Sequence, residues 1–240
     1  MVFALLAAFL LLPLPASASG IKVPLYLFGD MRYWLFFGVY TAATIMFVVG
    51  ARWVARKRDA KTPFPLRDVS AAAAIVLFNG LAYQIAHHTE HLTQIYQYWY
   101  LHLRAMSSKG IIFFLDLEWN HFIFDMGYFW LLFVAFLLFY RRWKARGHWV
   151  DGFGMFLWSS TLIIQGWHAI EHTVRIIRHV QLRCEPCAGV ADVVFNVPLI
   201  PLHFWFNVFA LTLPLMAFFY YRMDACLVQL VRRAFTRKAS

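Results

Sequence analysis

The chain has 240 residues, of which 62% are hydrophobic and only 14% are charged. A soluble domain carries about 25% charged residues, so this composition excludes an ordinary soluble globular protein. Several apolar runs exceed the roughly 20 residues that cross a bilayer as a helix, and the alternation typical of a membrane β-barrel is absent. The sequence therefore predicts an all-α integral membrane protein whose first partner is the lipid bilayer.

The basic residues account for a formal net charge of +10, but they concentrate in short blocks at the ends of apolar runs. These blocks lie near residues 56–58, 141–146 and 232–238. Such blocks mark the cytoplasmic ends of membrane helices, so the pattern argues against nucleic acid as a partner. We expect a multi-pass protein of the plasma (inner) membrane, with its basic loops and its C-terminus in the cytoplasm.

In chain order, residues 1–19 form a short apolar stretch that ends in small residues, typical of a signal peptide or an uncleaved anchor. Residues 20–61 hold the first transmembrane helix, expected over 32–54, and a basic loop. The second helix begins near Asp68 and meets no strong breaker before 107–110, and the third runs from about 111 to 140. The fourth and fifth span about 150–181 and 198–221, before a basic amphipathic tail. The prediction is thus five transmembrane helices.

One eight-residue pattern occurs twice, 81 positions apart: Q-x-x-H-x-x-E-H at residues 84–91 and again at 165–172. A second histidine follows each copy, His121 in the first case and His203 in the second. Residues 62–146 and 147–240 are therefore predicted to be two repeats, the second including the basic tail. Each repeat would be a helix hairpin with the same orientation. The two hairpins would form a four-helix bundle, with the first helix packed outside it.

Helix geometry places these polar residues together. Positions three, four and seven apart share one helix face. At about 1.5 Å rise per residue, the polar residues of all four helices lie between about 24 and 34 Å from the basic ends. They would therefore form one layer toward the extracytoplasmic side of the membrane. Ionisable groups at such depth usually face the bundle interior and carry a function.

Histidine is the commonest protein metal ligand, and a mixture with carboxylates suits iron, copper, zinc or manganese. We predict a transition-metal site, with iron or copper first, zinc second and haem b as an alternative cofactor. The predicted ligands are His87, His91, His121, His168, His172, His203, Glu90 and Glu171, with Glu90 and Glu171 also catalytic. The residues expected to orient them from a second layer are Gln84, Asp125, Gln165 and Asn207. A hydrogen-bonded polar layer that only holds the helices together is the structural alternative.

Four functions fit this pattern. The first is an iron or copper oxidoreductase acting on a lipid or a small apolar substrate, supplied with electrons by a donor or other membrane subunit. The others are a haem b electron carrier, a zinc hydrolase of lipids, and a metal-binding or structural subunit without catalysis. The polar layer resembles soluble di-iron bundles in drawing histidines and carboxylates from four helices, but those use E-x-x-H, whereas here the order is H-x-x-E-H.

Cys184 and Cys187 form a C-x-x-C motif in the loop after the fourth helix. Under the predicted topology this loop faces an oxidising compartment, which favours a local disulfide over a thiol site.

Overall fold

The computed structural model of the chain describes residues 25–61, 66–111, 118–148, 150–184 and 187–236. The predicted signal peptide or anchor at 1–19 lies outside these residues. Seven α-helices are present within them, and no strand. They are α1 (Met31–Lys61), α2 (Ala71–Tyr100), α3 (Glu118–Ala145), α4 (Gly152–Leu182), α5 (Val190–Phe195), α6 (Leu199–Tyr220) and α7 (Met223–Thr236). Short 3-10 helices occupy Leu25–Gly29, Leu66–Asp68 and Ala105–Ser107. The all-α prediction is confirmed.

Three of the described helices are long and apolar enough to cross a membrane: Met31–Ala60, Glu118–Ala145 and Leu199–Tyr220. The remaining long helices, α2 and α4, have 30 and 31 residues and so have the length to span a bilayer. They are less apolar because they carry the repeated histidines, glutamates and glutamines. The membrane character of the chain is thus supported by three spans, and the five-span topology stays a prediction.

Four helices enclose one core. α2 packs against both α3 and α6, and α4 also packs against both α3 and α6. The four therefore form a ring in which the two helices with the repeated motifs stand diagonally opposite each other. α1 packs on the outer side of this ring, against α6. Large buried side chains fill the bundle between the histidines and the helix ends that carry the basic blocks. Among them are Leu77, Tyr128, Phe139 and Trp158.

The helix ends that carry the basic blocks meet at one end of the bundle. The Arg142 guanidinium donates to the carbonyl of Arg67 at 3.3 Å, which joins the end of α3 to the start of α2. The Tyr220 hydroxyl donates to the Asp151 carboxylate at 2.8 Å, which joins the end of α6 to the start of α4. Asp68 lies here too, and its contacts with His148 and Arg146 lower the pKa of its carboxyl group. We call this the basic end.

Three predicted helix ends are wrong. α1 continues to Lys61, seven residues beyond its predicted end at 54. α2 ends at Tyr100 rather than near 107, because His102 adopts a left-handed backbone with a φ of 53°. The Gln97 side chain accepts from the Lys109 N–H and donates to the Lys109 carbonyl, and this holds the returning loop against the helix end. α3 extends to Ala145, five residues beyond the predicted end, and its first described residue is Glu118. α4 and α6 begin and end within two residues of their predicted bounds.

Candidate metal centre

The six predicted histidines converge in two groups inside the bundle. His87, His91 and His121 form the first group, and His168, His172 and His203 form the second. Within each group, one ring nitrogen from every histidine lies within 4.8 Å of the others. Each group takes a pair four residues apart on one helix and a third histidine from a neighbouring helix. All six side chains are buried.

Several separations between the nitrogens suit shared coordination. The Nε2 atoms of His87 and His91 are 3.2 Å apart, as are those of His168 and His172. The Nε2 atom of His203 lies 3.1 Å from that of His172. Two nitrogens bound to one metal at about 2.0–2.1 Å would be about 3.3 Å apart in a tetrahedral site and about 2.9 Å apart in an octahedral one. The observed distances fall between these two values.

Asp125 lies between the two groups. Its Oδ2 atom is 3.1 Å from Nε2 of His172 and 3.7 Å from Nε2 of His87, while Oδ1 is 3.3 Å from Nδ1 of His168. The side chain is fully buried, and Oδ2 accepts no hydrogen bond from the described residues. Burying a carboxylate is costly unless a cation pairs with it. The same oxygen therefore stands where it could serve an ion in either group.

The two groups are in contact, so they form one centre rather than two separate sites. The rings of His121 and His172 stack almost parallel, at 9°, with 5.4 Å between their centroids. The rings of His91 and His203 lie 5.7 Å apart. Six imidazoles thus pack against one another around Asp125.

Amide side chains form hydrogen bonds on the side of the centre that faces the basic end. The Gln165 amide donates to both the backbone carbonyl and the Oδ1 atom of Asp125, at 3.2 and 3.3 Å. The Gln84 amide donates to the Asn207 side chain at 2.6 Å, and Asn207 in turn donates to the backbone carbonyl of His203 at 2.9 Å. Three of the four residues predicted as a second layer thus contact one another or Asp125. Asp125 itself reaches the ring nitrogens.

The glutamates of the two motifs point toward loops. The Glu171 carboxylate accepts hydrogen bonds from the backbone N–H groups of Val190 and Ala191, at 3.0 to 3.2 Å, at the start of α5. A Cβ on Gly189 would collide with this carboxylate, and a Cβ on Gly110 would collide with the carboxyl group of Glu90. Each glutamate therefore packs against a glycine of the loop that follows its helix, and neither belongs to a three-histidine group.

Arg175 is a buried residue of the site that the sequence did not reveal. One nitrogen, Nη1, donates to Nε2 of His203 at 2.9 Å, and the other, Nη2, pairs with the Glu118 carboxylate. Both charged side chains are about 5% exposed. The available signal was its position three residues after His172, which puts it on the same face of α4.

His203 shows how one ring is oriented. Its Nδ1 atom lies 2.9 Å from the backbone carbonyl of Leu199, one turn earlier in α6. A carbonyl can only accept, so Nδ1 carries the proton and Nε2 carries the lone pair. That lone pair accepts the hydrogen bond from Arg175, which an ion bound at Nε2 would have to replace. A metal-binding histidine typically has this arrangement, with its second nitrogen held by a carbonyl or a carboxylate.

Cys184 and Cys187 form a disulfide in the loop between α4 and α5. The carbonyl of Cys184 also lies 2.7 Å from Nδ1 of His179 in the last turn of α4. The disulfide therefore closes the same loop that Glu171 holds at its other end.

No family model, curated protein or solved structure matches the chain. A function for the chain therefore has to come from the chemistry of this centre. Six imidazoles that could hold metal ions, and the carboxylate of Asp125 between them, are buried in an apolar bundle.

Proposed function

We propose that the chain is an integral membrane protein with a dinuclear transition-metal centre. Each three-histidine group holds one ion, and Asp125 is shared between the two. The observation that carries this proposal is the ring-nitrogen spacing of 3.1 to 3.2 Å found within both groups. Neutral imidazoles suit copper, iron and zinc, and one carboxylate offsets part of the charge of the ions.

Iron or copper is the first choice of metal, and oxidation of a lipid or a small apolar substrate is the first choice of reaction. Copper and non-haem iron carry out one-electron and dioxygen chemistry in proteins. The site lies inside a bundle whose outer surface is apolar, which suits a substrate that arrives from the lipid. A reaction with dioxygen requires electrons, and we assign their supply to a donor or other membrane subunit.

An aromatic stack supports the redox role. The Phe124 ring stacks on His87 at 4.3 Å between centroids, and Tyr83 stacks on the other side of Phe124 at 3.3 Å. Tyr83 is only partly buried. The three rings lead from a candidate ligand toward the outside of the bundle, which is where a donor would dock.

We further propose that α1, α2, α3, α4 and α6 all span the membrane, and that α2–α3 and α4–α6 are two parallel repeats. The matching composition of the two histidine groups supports this, as does the contact of each motif glutamate with a loop glycine. Because the metal centre lies away from the basic end, we place it toward the extracytoplasmic side of the plasma membrane. Residues 1–19 would then be a signal peptide or an anchor.

The contacts among the imidazole rings favour single ions over haem b, because a porphyrin needs a planar gap between its two axial histidines. A zinc hydrolase requires an open coordination position and a general base. The Glu171 carboxylate is hydrogen-bonded to the α5 backbone, and the Glu90 carboxyl group packs against Gly110. We therefore assign both glutamates to holding loops. Metal identity decides between the oxidoreductase, the hydrolase and a subunit that binds metal without catalysis.

The test is the metal content of the purified full chain in detergent, measured by mass spectrometry together with a visible spectrum. We expect two equivalents of iron or copper, lost in the double variant His91→Ala, His172→Ala. His88→Ala is the matched control, because His88 is buried next to His87 in sequence but its ring packs against Tyr40 instead of joining a group.

Stoichiometric zinc would move the assignment to the hydrolase, and a Soret band would move it to the haem carrier. If the wild-type protein holds no metal after reconstitution and unfolds identically with and without it, the metal centre is excluded. The histidines would then be a polar packing layer.

A further inference from the structure

A pocket with a chemistry different from that of the metal centre opens at the basic end of the bundle. It has a volume of about 390 Å³ and lies between the start of α2, the end of α3 and α7. Its lining includes three arginines, from three separate segments of the chain: Arg67, Arg142 and Arg233. The metal centre lies away from this end and has no residue in common with the pocket lining.

The charge of this pocket is uncompensated within its own walls, because its described lining includes no aspartate or glutamate. The nearest carboxylate in sequence, Asp68, is engaged by His148 and Arg146 instead. The first turn of α2, where Ala71 meets the pocket, adds the positive end of a helix dipole. The charged groups of the lining therefore favour an anion.

The type of anion follows from the donors and from the rest of the wall. Guanidinium groups match the tetrahedral oxygens of phosphate in a bidentate manner, and three of them surround this cavity. Leu66, Val69 and Leu230 supply an apolar side to the same cavity. A phosphate group that carries an apolar chain satisfies both parts of the lining.

We propose that this pocket binds a phosphate group, and that the phosphate belongs to an anionic phospholipid of the bilayer. A soluble phosphate compound shares the same chemistry and is the other source to be tested. Basic pockets between membrane helices are known to hold lipid headgroups in this way. The bound lipid would tie α7 to the ends of α2 and α3.

The chain contains its own reporter of occupancy. Cys226 lines the pocket and is the free cysteine of the chain, since Cys184 and Cys187 are paired. A ligand in the cavity should slow alkylation of Cys226 by a maleimide. Burial raises the pKa of the Cys226 thiol, so the reaction is best followed at mildly alkaline pH.

The experiment measures Cys226 alkylation of the full chain in detergent micelles that contain phosphatidylcholine, phosphatidylglycerol or inorganic phosphate. The pocket variant is Arg67→Gln, Arg142→Gln, Arg233→Gln. The matched control is Arg56→Gln, Arg141→Gln, Arg232→Gln, which removes the same charge from exposed arginines that do not line the pocket. Protection is taken as the ratio of rates with and without ligand in the same variant, because Arg233 also affects the thiol directly.

We expect phosphatidylglycerol to protect Cys226 in the wild type and in the control variant, and the pocket variant to need about tenfold more lipid for the same protection. Protection by inorganic phosphate that matches that of the lipid would support the phosphate site and assign it to a soluble compound. Equal loss in the pocket and control variants would overturn the proposal, since general surface charge would then suffice. Equal protection by phosphatidylcholine would overturn it as well.

Arg233→Gln alone guards against misfolding of the triple variant, because Arg233 is exposed on α7. It should show a smaller loss of protection in the same direction. Unchanged protection in this variant and in the folded triple variant would also exclude the site.

Discussion

Arg175 and Glu118 place two full charges among buried side chains, directly beside the imidazole of His203. Such a pair stabilises the fold little more than apolar residues of the same size would. Loss of one partner, however, leaves the other charge buried without a counter-ion. The pair links the first turn of α3 to the last third of α4. Substitution of either residue therefore tests whether this ion pair holds α3 against α4 beside the centre.

We expect Arg175→Met to lower the free energy of unfolding by about 3–5 kcal/mol, because the Glu118 carboxylate remains buried without its cation. Glu118→Met should cost a comparable amount. The double variant should recover most of the loss, since neither charge is then present. Denaturant unfolding in detergent of the four proteins forms a double-mutant cycle that measures the coupling.

If the double variant is as unstable as the sum of the two single variants, the two side chains act independently and the ion pair does not hold α3 to α4. Arg178→Met is a useful comparison. Arg178 lies on the same helix but donates to the backbone carbonyl of Ala188, so its loss leaves no buried carboxylate.

Asp30 gives a pH-dependent prediction at the opposite end of the bundle from the basic blocks. The Arg32 side chain lowers the pKa of Asp30 to about 2, and the hydroxyl of Tyr96 donates to the same carboxylate at 2.9 Å. The folded-state pKa is thus below the unfolded value of about 3.9. The resulting stability is complete above about pH 4 and is lost as the pH falls through about 2.

Asp30→Asn should therefore unfold at a lower temperature than the wild type at neutral pH, and the difference should shrink as the pH falls from about 4 to about 2. The measurement is thermal unfolding in detergent across this range. Arg32→Gln should behave in the same way, because it removes the main cause of the lowered pKa. A difference that persists unchanged at the acid end would show that the charge of Asp30 is not responsible.

The residues that the sequence could identify are those that a repeat and a helical period mark together. All six histidines are of this kind, and the structure brings them into two groups. Arg175 has no counterpart, since Gln94 stands 81 positions earlier. The position of Asp125 could not be predicted either. Helix spacing gives the face and the approximate depth of a residue, but not whether its side chain reaches the histidine ring nitrogens or the amide side chains next to them.

Among the elements, the loop between α4 and α5 shows how a motif residue can act away from the centre. The Glu171 carboxylate accepts from two backbone N–H groups at the start of α5, and Gly189 makes room for it. A six-residue helix has little stability of its own. Its attachment to α4 therefore depends on this carboxylate and on the nearby disulfide.

Glu171→Gln should loosen α5 while leaving the metal content unchanged. An amide keeps one acceptor oxygen but loses the charge that strengthens hydrogen bonds to backbone donors. Hydrogen exchange of residues 187–195, followed by mass spectrometry, should become faster by about tenfold, with no change in α2 or α6. Gly189→Ala should give the same local change, because its Cβ displaces the carboxylate.

Loss of bound metal in Glu171→Gln would contradict this assignment and would indicate that Glu171 is a metal ligand. Asp192→Asn serves as the control, since it removes a carboxylate from the same short helix without touching Glu171.

Helix ends were harder to predict than helix interiors. The periodic apolar pattern of residues 71–100 continues beyond Tyr100, so nothing local marks the stop there. The left-handed backbone of His102 ends the helix, and tertiary hydrogen bonds to Gln97 hold the returning loop in place. α4 has a clearer start in the sequence, because Asp151 caps it by accepting from the N–H of Gly154 at 2.7 Å.

For the whole molecule, the ring of four helices explains why the chain needs two copies of its motif. Each histidine group is built from adjacent helices, and the groups meet only because α2 and α4 stand diagonally across the ring. Composition could predict the class of fold, and the repeated motif could predict the outer position of α1. They could not predict the pocket of arginines, because its walls come from three segments far apart in sequence.

The orientation of the molecule can be tested with its own three cysteines. If the basic end is cytoplasmic, a membrane-impermeant maleimide added to intact cells should label Cys184 only after mild reduction of its disulfide with Cys187. Cys226, at the basic end, should stay unlabelled under both conditions and react only after solubilisation in detergent. A Cys226→Ser variant identifies which label belongs to which site. Labelling of Cys226 from outside, or of Cys184 only after cell lysis, would reverse the orientation and place the metal centre near the cytoplasmic face.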